Sequence, residues 1–184
     1  MPEYYKKSLK LAKALFPDEE WIVIEHNVWV AKSRLLQKIK EPNKWEKEMS
    51  QVRILTGRGS VAFFLPEVEI KGEKYKRCAD SVLDGEITEM KTISGTRETL
   101  GGKFRLGYKQ GESLLNSRLI AEKFPKRHSV YIRLLSNIHI NSVKAKIAGV
   151  LKYHHGKGSF ICYFEKIGEL HTWTYEELRS LIGK

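Results

Sequence analysis

Long hydrophobic runs are lacking from this 184-residue sequence, and none reaches the roughly 18 to 20 apolar residues of a membrane-spanning helix. The N-terminal residues carry charges throughout and no small-residue cleavage site, which argues against a secretory signal. The two cysteines, Cys78 and Cys162, are too few for a disulfide framework and do not have the spacing of metal ligands. Acidic residues are also in the minority, with 22 aspartates and glutamates against 33 lysines and arginines.

The resulting formal net charge of +11 is the strongest compositional property of the chain. Such an excess favours a polyanionic partner, with nucleic acid first and an anionic membrane surface second. Basic proteins without such partners exist, so the charge alone leaves the partner open. Hydrophobic residues make up 41% of the chain, which excludes wholesale disorder, and the length fits one domain.

Hydrophobic periodicity in the first 60 residues indicates helices around one extended segment. An apolar stripe predicts a helix over 3–16, and Pro42 opens a second helix that Gly57 closes. The β-branched and aromatic residues of 21–30 favour a strand, although a buried helix that continues to Ile39 is an alternative.

After Ser60 the pattern changes to short apolar runs separated by turn residues. These runs predict strands at 61–64, 78–83, 87–93, 129–135, 147–153 and 160–165, and a charged hairpin at 69–75. The Asp84-Gly85 pair predicts a hairpin turn. A glycine-rich loop with Gly95, Gly101 and Gly102 is expected to lead to a helix near 105–123, and Thr174 caps a final helix that ends at 182. The fold class is therefore α/β (α+β), with a central mixed sheet flanked by helices.

Asp80, Glu89 and Lys91 form the strongest candidate site. Residues two apart in a strand share a face, so Glu89 and Lys91 project together while Met90 points to the core. Pairing through the Asp84-Gly85 turn would bring Asp80 beside them. Neighbouring carboxylates repel each other, and a hard divalent cation such as Mg²⁺ relieves this repulsion.

Phosphodiester hydrolysis needs this combination of acids and a lysine, because the metal polarises a phosphate and the lysine stabilises developing negative charge. The same triplet also occurs by chance in a chain that is 30% charged, and a second copy is Glu69-Ile70-Lys71. That copy has no nearby upstream aspartate, so we discard it. A solvated strand face is the alternative interpretation of the first copy.

Further candidates come from the neighbouring segments. Glu48 on the Pro42 helix and Glu67 after the strand at 61–64 could join the acids, or they could be solvated surface charges. Lys103, Arg105, Lys109 and Gln110 could hold a phosphate backbone without reading its sequence, or they could form an ordinary basic helix face. His154 and His155 are the candidates for general acid–base chemistry in a metal-independent ribonuclease.

The order of these motifs resembles the PD-(D/E)XK nuclease superfamily. A helix with Glu48 precedes GSVAFFLPE at 59–67, then CAD at 78–80 and GEITEMK at 85–91, and a basic helix and a strand follow. Within that superfamily, the chain is similar to the tRNA-nuclease domains at the C-termini of contact-dependent growth inhibition toxins and related polymorphic toxins. The resemblance covers roughly residues 45–135, about half of the chain.

The resemblance implies a restriction-endonuclease-like core in which Asp80 and Glu89 bind Mg²⁺ or Mn²⁺ and Lys91 assists catalysis. It also implies that Glu48 completes the site and that Gln110 is an auxiliary polar residue. The proline that the family has before the aspartate is Ala79 here. We expect one nuclease domain over 1–184, divided into a helical extension at 1–41, a catalytic core at 45–135 and C-terminal strands and a helix at 136–184.

The function expected from the resemblance is cleavage of tRNA or other RNA, with DNA as the other substrate class. It implies action in the cytoplasm, delivery there as the C-terminal part of a secreted toxin, and an acidic immunity protein that covers the basic cleft. The alternative is a noncatalytic nucleic-acid-binding or mobile-element accessory protein that keeps a decayed nuclease fold.

Overall fold

A computed structural model describes residues 3–67, 79–117 and 124–183 of the chain. Its helices are α1 (Glu3–Leu15), α2 (Lys32–Lys40), α3 (Pro42–Thr56), α4 (Arg97–Ser117), α5 (Ile140–Leu151) and α6 (Tyr175–Arg179). Its strands are β1 (Trp21–Glu25), β2 (Val28–Ala31), β3 (Ala62–Phe64), β4 (Ser81–Leu83), β5 (Glu86–Ile93), β6 (His128–Leu134), β7 (Ser159–Phe164) and β8 (Glu169–Thr174). Within these residues, no helix is both long and apolar enough to cross a membrane.

The eight strands form one mixed sheet in which spatial order follows chain order. The pairs β2–β3, β5–β6 and β6–β7 are parallel, and the other neighbours are antiparallel. This arrangement confirms the α/β class and the central mixed sheet flanked by helices.

Helices cover both faces of the sheet, as the alternating residues of β3 illustrate. Phe63 packs in a cluster with Leu11 and Leu15 of α1, whereas Phe64 packs on the opposite face with Trp45 of α3. A third cluster joins α4, α5 and α6 to β6 and β7. Burial of these apolar faces from water is the main force that holds the layers together.

The N-terminal region differs from the expected helical extension. Residues 21–30 form two strands rather than one, because Asn27 adopts a left-handed conformation (φ 61°) and turns the chain back. The alternative, a buried helix from residue 21 to Ile39, is wrong for 21–30, because helix α2 begins only at Lys32. Since β2 pairs with β3, this hairpin is part of the main sheet.

Helix α4 begins eight residues earlier than expected, so Gly101 and Gly102 lie inside a helix rather than in a loop. Leu100, Phe104 and Tyr108 are spaced four residues apart and fully buried, and their burial outweighs the low helix propensity of glycine. Residues 118–123, the end of the expected helix, lie outside the described residues.

The C-terminal third contains the other correction. Residues 140–151 form helix α5, whereas 147–153 had the pattern of a strand. Val143, Ile147, Val150 and Leu151 are all buried, which is the spacing of a helix face. The structure also adds β8, which the sequence pattern did not indicate. The Thr174 cap is confirmed, since its hydroxyl accepts a hydrogen bond from the Glu177 amide at 3.1 Å.

Candidate active site

An open pocket of about 560 Å³ lies beside the β4–β5 hairpin, between α3 and α4. Its charged and polar lining residues come from five separate parts of the chain: Arg34, Lys44, Glu48, Glu67, Asp80, Glu89, Lys91, Lys103 and Gln110. The sequence-predicted acids and the lysine therefore meet in one place.

The tight turn between β4 and β5 brings Asp80 to Glu89. Asp84 (φ 50°) and Gly85 (φ 86°) both have positive φ, as a two-residue hairpin requires, and Ser81 pairs with Thr88. The Asp80 amide donates to Glu89 Oε2 at 3.2 Å, and the Met90 amide donates to Asp80 Oδ2 at 3.2 Å. The two carboxylates are thus held side by side by backbone donors.

Glu89 and Lys91 share a face of β5, as predicted, and their side chains form an ion pair. Met90 lies in the core cluster on the opposite side of the sheet with Trp45. Glu89 is only 1% exposed. Burial, reinforced by the negative charge of Asp80, raises the pKa of Glu89 well above 4.5, although Lys91 opposes the shift.

Glu48 reaches the same pocket from α3, where Arg34 of α2 holds it. Arg34 Nη2 lies 2.8 Å from Glu48 Oε2 and 3.7 Å from Asp80 Oδ1. Burial raises the pKa of Glu48, and the positive charge of Arg34 opposes that rise. The helix-borne acid is therefore linked to Asp80 through a shared cation.

Helix α4 presents two of the expected phosphate-binding residues to the pocket. Lys103, Leu106 and Gln110 lie on one stripe of the helix and line the pocket. Gln110 is 6% exposed, and its side-chain oxygen has no hydrogen-bond partner among the described residues. A buried amide oxygen of this kind is available to a ligand.

Arg105 and Lys109 do not line the pocket, although they were predicted to bind phosphate together with Lys103. Lys109 forms an ion pair with Glu112 at 3.2 Å. Burial lowers the pKa of His154, and the positive charges of Lys109 and Arg105 add to this shift. The two basic residues thus lie on the side of α4 that faces His154.

Glu67, the other acid that could join Asp80 and Glu89, lies at the rim of the pocket. Lys44 Nζ lies 2.6 Å from Glu67 Oε1 and 3.7 Å from a carboxylate oxygen of Glu41. Glu67 is exposed, whereas Glu48, Asp80 and Glu89 are partly or fully buried. Of Glu48 and Glu67, Glu48 is therefore the one that belongs to the buried part of the pocket, where it shares Arg34 with Asp80.

The histidines lie apart from this pocket. His154 packs its ring 4.7 Å from that of Tyr108, and His155 is exposed. His128 is buried against Tyr108, and burial lowers its pKa to about 4. None of these three histidines lines the pocket, although His128 and Glu89 both pack against α4.

Sequence reasoning did not single out Arg34, which the structure places in the buried part of the pocket. It lies 14 residues before Glu48 in a short basic segment, and nothing in its spacing separates it from its neighbours Lys32 and Lys38. The apolar pattern of α2 gives no burial signal for Arg34, because Leu36 and Ile39 are exposed while Arg34 is buried.

Among residues 3–67, 79–117 and 124–183, no three His, Cys, Asp or Glu side chains are already arranged to hold a metal together. The carboxylates of the pocket instead contact Arg34 and Lys91. The pocket thus presents Asp80 and Glu89 as a neighbouring pair of oxygen donors, with Glu48 bound to Arg34.

Comparison of the chain with protein-family models, with curated proteins and with solved structures gives no match. The resemblance to the PD-(D/E)XK superfamily stays a prediction from the sequence.

Proposed function

We propose that this chain is a metal-dependent nuclease that hydrolyses phosphodiester bonds, of the kind found in toxins that act on tRNA or other RNA. The observation that carries the proposal is the meeting of Asp80, Glu89 and Lys91 in one open pocket that also contains Glu48. Buried carboxylates with a raised pKa beside a lysine are typical of functional sites rather than of solvated strand faces.

The residues present suit Mg²⁺ or Mn²⁺. Asp80 and Glu89 supply carboxylate oxygens, which are the donors that these hard cations prefer, and the unpartnered oxygen of Gln110 adds a neutral one. A divalent cation held there would polarise a phosphate and make a bound water more acidic.

The remaining chemistry falls to the side chains of the chain. Glu89 is buried and paired with Lys91, so the Lys91 ammonium is held at the pocket, where a phosphate oxygen would gain negative charge in the transition state. Lys103 provides a second cation from α4 that can orient the substrate backbone. Neither lysine can bind a metal while it is protonated, so their roles are electrostatic.

The net charge of +11 supports a polyanionic substrate, and Lys44 and Lys103 place positive charge at the pocket beside its carboxylates. The preference for tRNA or other RNA over DNA rests on the toxin resemblance alone. The same resemblance is the basis for an acidic immunity protein and for delivery into the cytoplasm as the C-terminal part of a larger toxin.

A direct test is to incubate the purified chain with total tRNA and, separately, with plasmid DNA, in Mg²⁺ or Mn²⁺ and with or without EDTA. We expect cleavage of RNA that EDTA stops and that Asp80→Asn abolishes. Cleavage that persists in EDTA would favour a metal-independent ribonuclease, with His154 or His155 as the catalytic candidate. Binding without cleavage in either metal would favour the noncatalytic alternative.

A further inference from the structure

Arg34 is the most deeply buried cation of the pocket, with 2% of its surface exposed. Its Nη1 donates to the carbonyl oxygens of Leu65 at 2.8 Å and Asp80 at 3.0 Å. Its Nη2 faces the carboxylates of Glu48 and Asp80. The plane of the guanidinium also lies near the Phe64 ring, 5.2 Å from its centre.

This set of contacts is a cation site made of oxygen atoms. Two carboxylates and two backbone carbonyls surround the guanidinium, and such groups are the usual ligands of a divalent metal. The negative charges of Glu48 and Asp80, which lie 2.8 and 3.7 Å from Nη2, offset the cost of burying the guanidinium. The guanidinium is therefore held in place electrostatically as well as by hydrogen bonds.

The charge balance of the pocket indicates how many metal ions it can take. Its buried centre holds three carboxylates and two cations, Arg34 and Lys91, and so carries one net negative charge when all are ionised. One divalent cation leaves a net charge of +1, which a single phosphodiester group would neutralise. A second divalent cation would leave +3 in a partly buried space, which is strongly unfavourable.

We infer that Arg34 is a permanent internal cation that occupies the position of a second metal between Glu48 and Asp80, so that the pocket binds one divalent cation, at Asp80 and Glu89. Arg34 is thus a positioning residue that orients Glu48 and Asp80 and reduces the net negative charge of the acidic centre before metal binds. This inference rests on the proposed metal-dependent function.

The test is calorimetric titration of the full chain with Mn²⁺, for the native sequence and for Arg34→Ala, Arg34→Lys and Arg53→Ala. We expect one Mn²⁺ per chain for the native protein. Arg34→Ala removes the guanidinium and exposes its four oxygen ligands, so a second Mn²⁺ should bind. Arg34→Lys retains the charge and should bind one. Arg53→Ala removes an arginine that pairs with Glu25 and Glu46 outside the pocket, and it should also bind one.

Thermal unfolding of the same variants in EDTA and in saturating Mn²⁺ provides the second readout. Arg34→Ala should lower the Tm in EDTA by roughly 5 to 10 °C, because two carboxylates lose their shared cation. Mn²⁺ should recover at least half of that loss. The Tm loss of Arg53→Ala should be the same in EDTA and Mn²⁺. Recovery of the Tm by Mn²⁺ would show that Arg34 compensates the charge of the carboxylates, because a residue that only fills space could not be replaced by a metal ion.

The inference would be overturned if the native protein bound two equivalents of Mn²⁺ and Glu48→Gln lost one of them. That outcome would not contradict the proposed nuclease function. A Tm loss in Arg34→Ala that Mn²⁺ does not reduce, with one Mn²⁺ bound, would also overturn it. If Arg34→Ala does not fold, the stoichiometry of the native protein and of Arg34→Lys decides. No Mn²⁺ binding by the native protein would reject both this inference and the proposed nuclease.

Discussion

Gly107 of α4 lies directly against Glu89 of β5: a Cβ added at residue 107 would be 3.2 Å from Glu89 Cγ and 3.1 Å from Val130 Cγ1. The absence of a side chain lets the helix approach the strand that carries the candidate site. The position of the Glu89 carboxylate thus depends on a glycine in the middle of a helix, where glycine costs roughly 0.5 to 1 kcal/mol relative to alanine.

The first prediction follows from this contact. Gly107→Ala should displace Glu89 by a few tenths of an ångström and lower the cleavage rate by about tenfold or more, because catalysis is sensitive to such shifts. The gain in helix propensity and the strain should offset each other to within about 1 kcal/mol of unfolding free energy. Gly102→Ala is the matched control, since nothing lies within 4 Å of its added Cβ. It should stabilise the chain and leave cleavage unchanged, and equal rates for both variants would contradict the prediction.

The second prediction concerns the helix-borne acid. Glu48→Gln leaves the buried Arg34 without its nearest carboxylate, so we expect a loss of about 2 to 4 kcal/mol in unfolding free energy. Cleavage should fall by about a hundredfold or more if Glu48 completes the site. Glu46→Gln, two residues earlier on the exposed side of α3, should change stability by less than about 0.5 kcal/mol. Urea unfolding and a cleavage assay of both variants check this, and full activity in Glu48→Gln would exclude it from the site.

The third prediction separates catalysis from metal binding at Lys91. Lys91→Met keeps most of the side-chain length but removes the charge that pairs with Glu89. Mn²⁺ should still bind, and more tightly, because a competing positive charge is gone. Cleavage should fall by roughly a hundredfold or more, the effect of losing one preorganised charge contact. Calorimetry and cleavage on the same preparation test this, with the exposed Lys47→Met as control, and undiminished cleavage would remove Lys91 from the mechanism.

The fourth prediction compares two lysines of α4. Lys103 lines the pocket, whereas Lys109 is paired with Glu112 on another side of the helix. In an inactive Asp80→Asn background, Lys103→Ala should weaken nucleic-acid binding and reduce the salt slope by about 0.7 to 0.9, the contribution of one phosphate contact. Lys109→Ala should change the slope by much less. Binding titrations between low and physiological salt measure both, and the reverse order would place the binding surface on the His154 side.

The fifth prediction is a pH dependence of stability from His128. Its pKa of about 4 is lower than the usual 6.5, so between these values the unfolded chain binds more protons than the folded one. Stability from this residue is therefore complete above pH 6.5 and is lost as the pH falls toward 4, by up to about 3 kcal/mol.

Replacement of His128 by Gln should remove this part of the pH dependence. The difference in unfolding free energy between native protein and His128→Gln should then shrink from pH 7 to pH 4.5. His155→Gln, at an exposed position, should follow the native curve at all pH values. Parallel curves for the native protein and His128→Gln would show that burial of His128 does not control the pH dependence.

Local patterns were enough to predict the part of the site that lies on one hairpin. The Asp84-Gly85 turn and the two-residue repeat of a strand bring Asp80, Glu89 and Lys91 together through contacts between residues no more than 11 apart. The same local logic predicted α1 and α3 correctly. It failed at α5, because a short buried apolar run has the same composition in a strand and in a helix face.

Contacts between distant segments were decided only by tertiary packing. Arg34 meets Leu65 and Asp80 across 31 and 46 residues, and that meeting depends on the β1–β2 hairpin joining the sheet beside β3. Which of Lys103 and Lys109 lines the pocket likewise depends on which side of α4 faces the sheet. A sequence pattern specifies which face of an element is apolar, but the neighbour that covers this face is chosen by the packing of the whole chain.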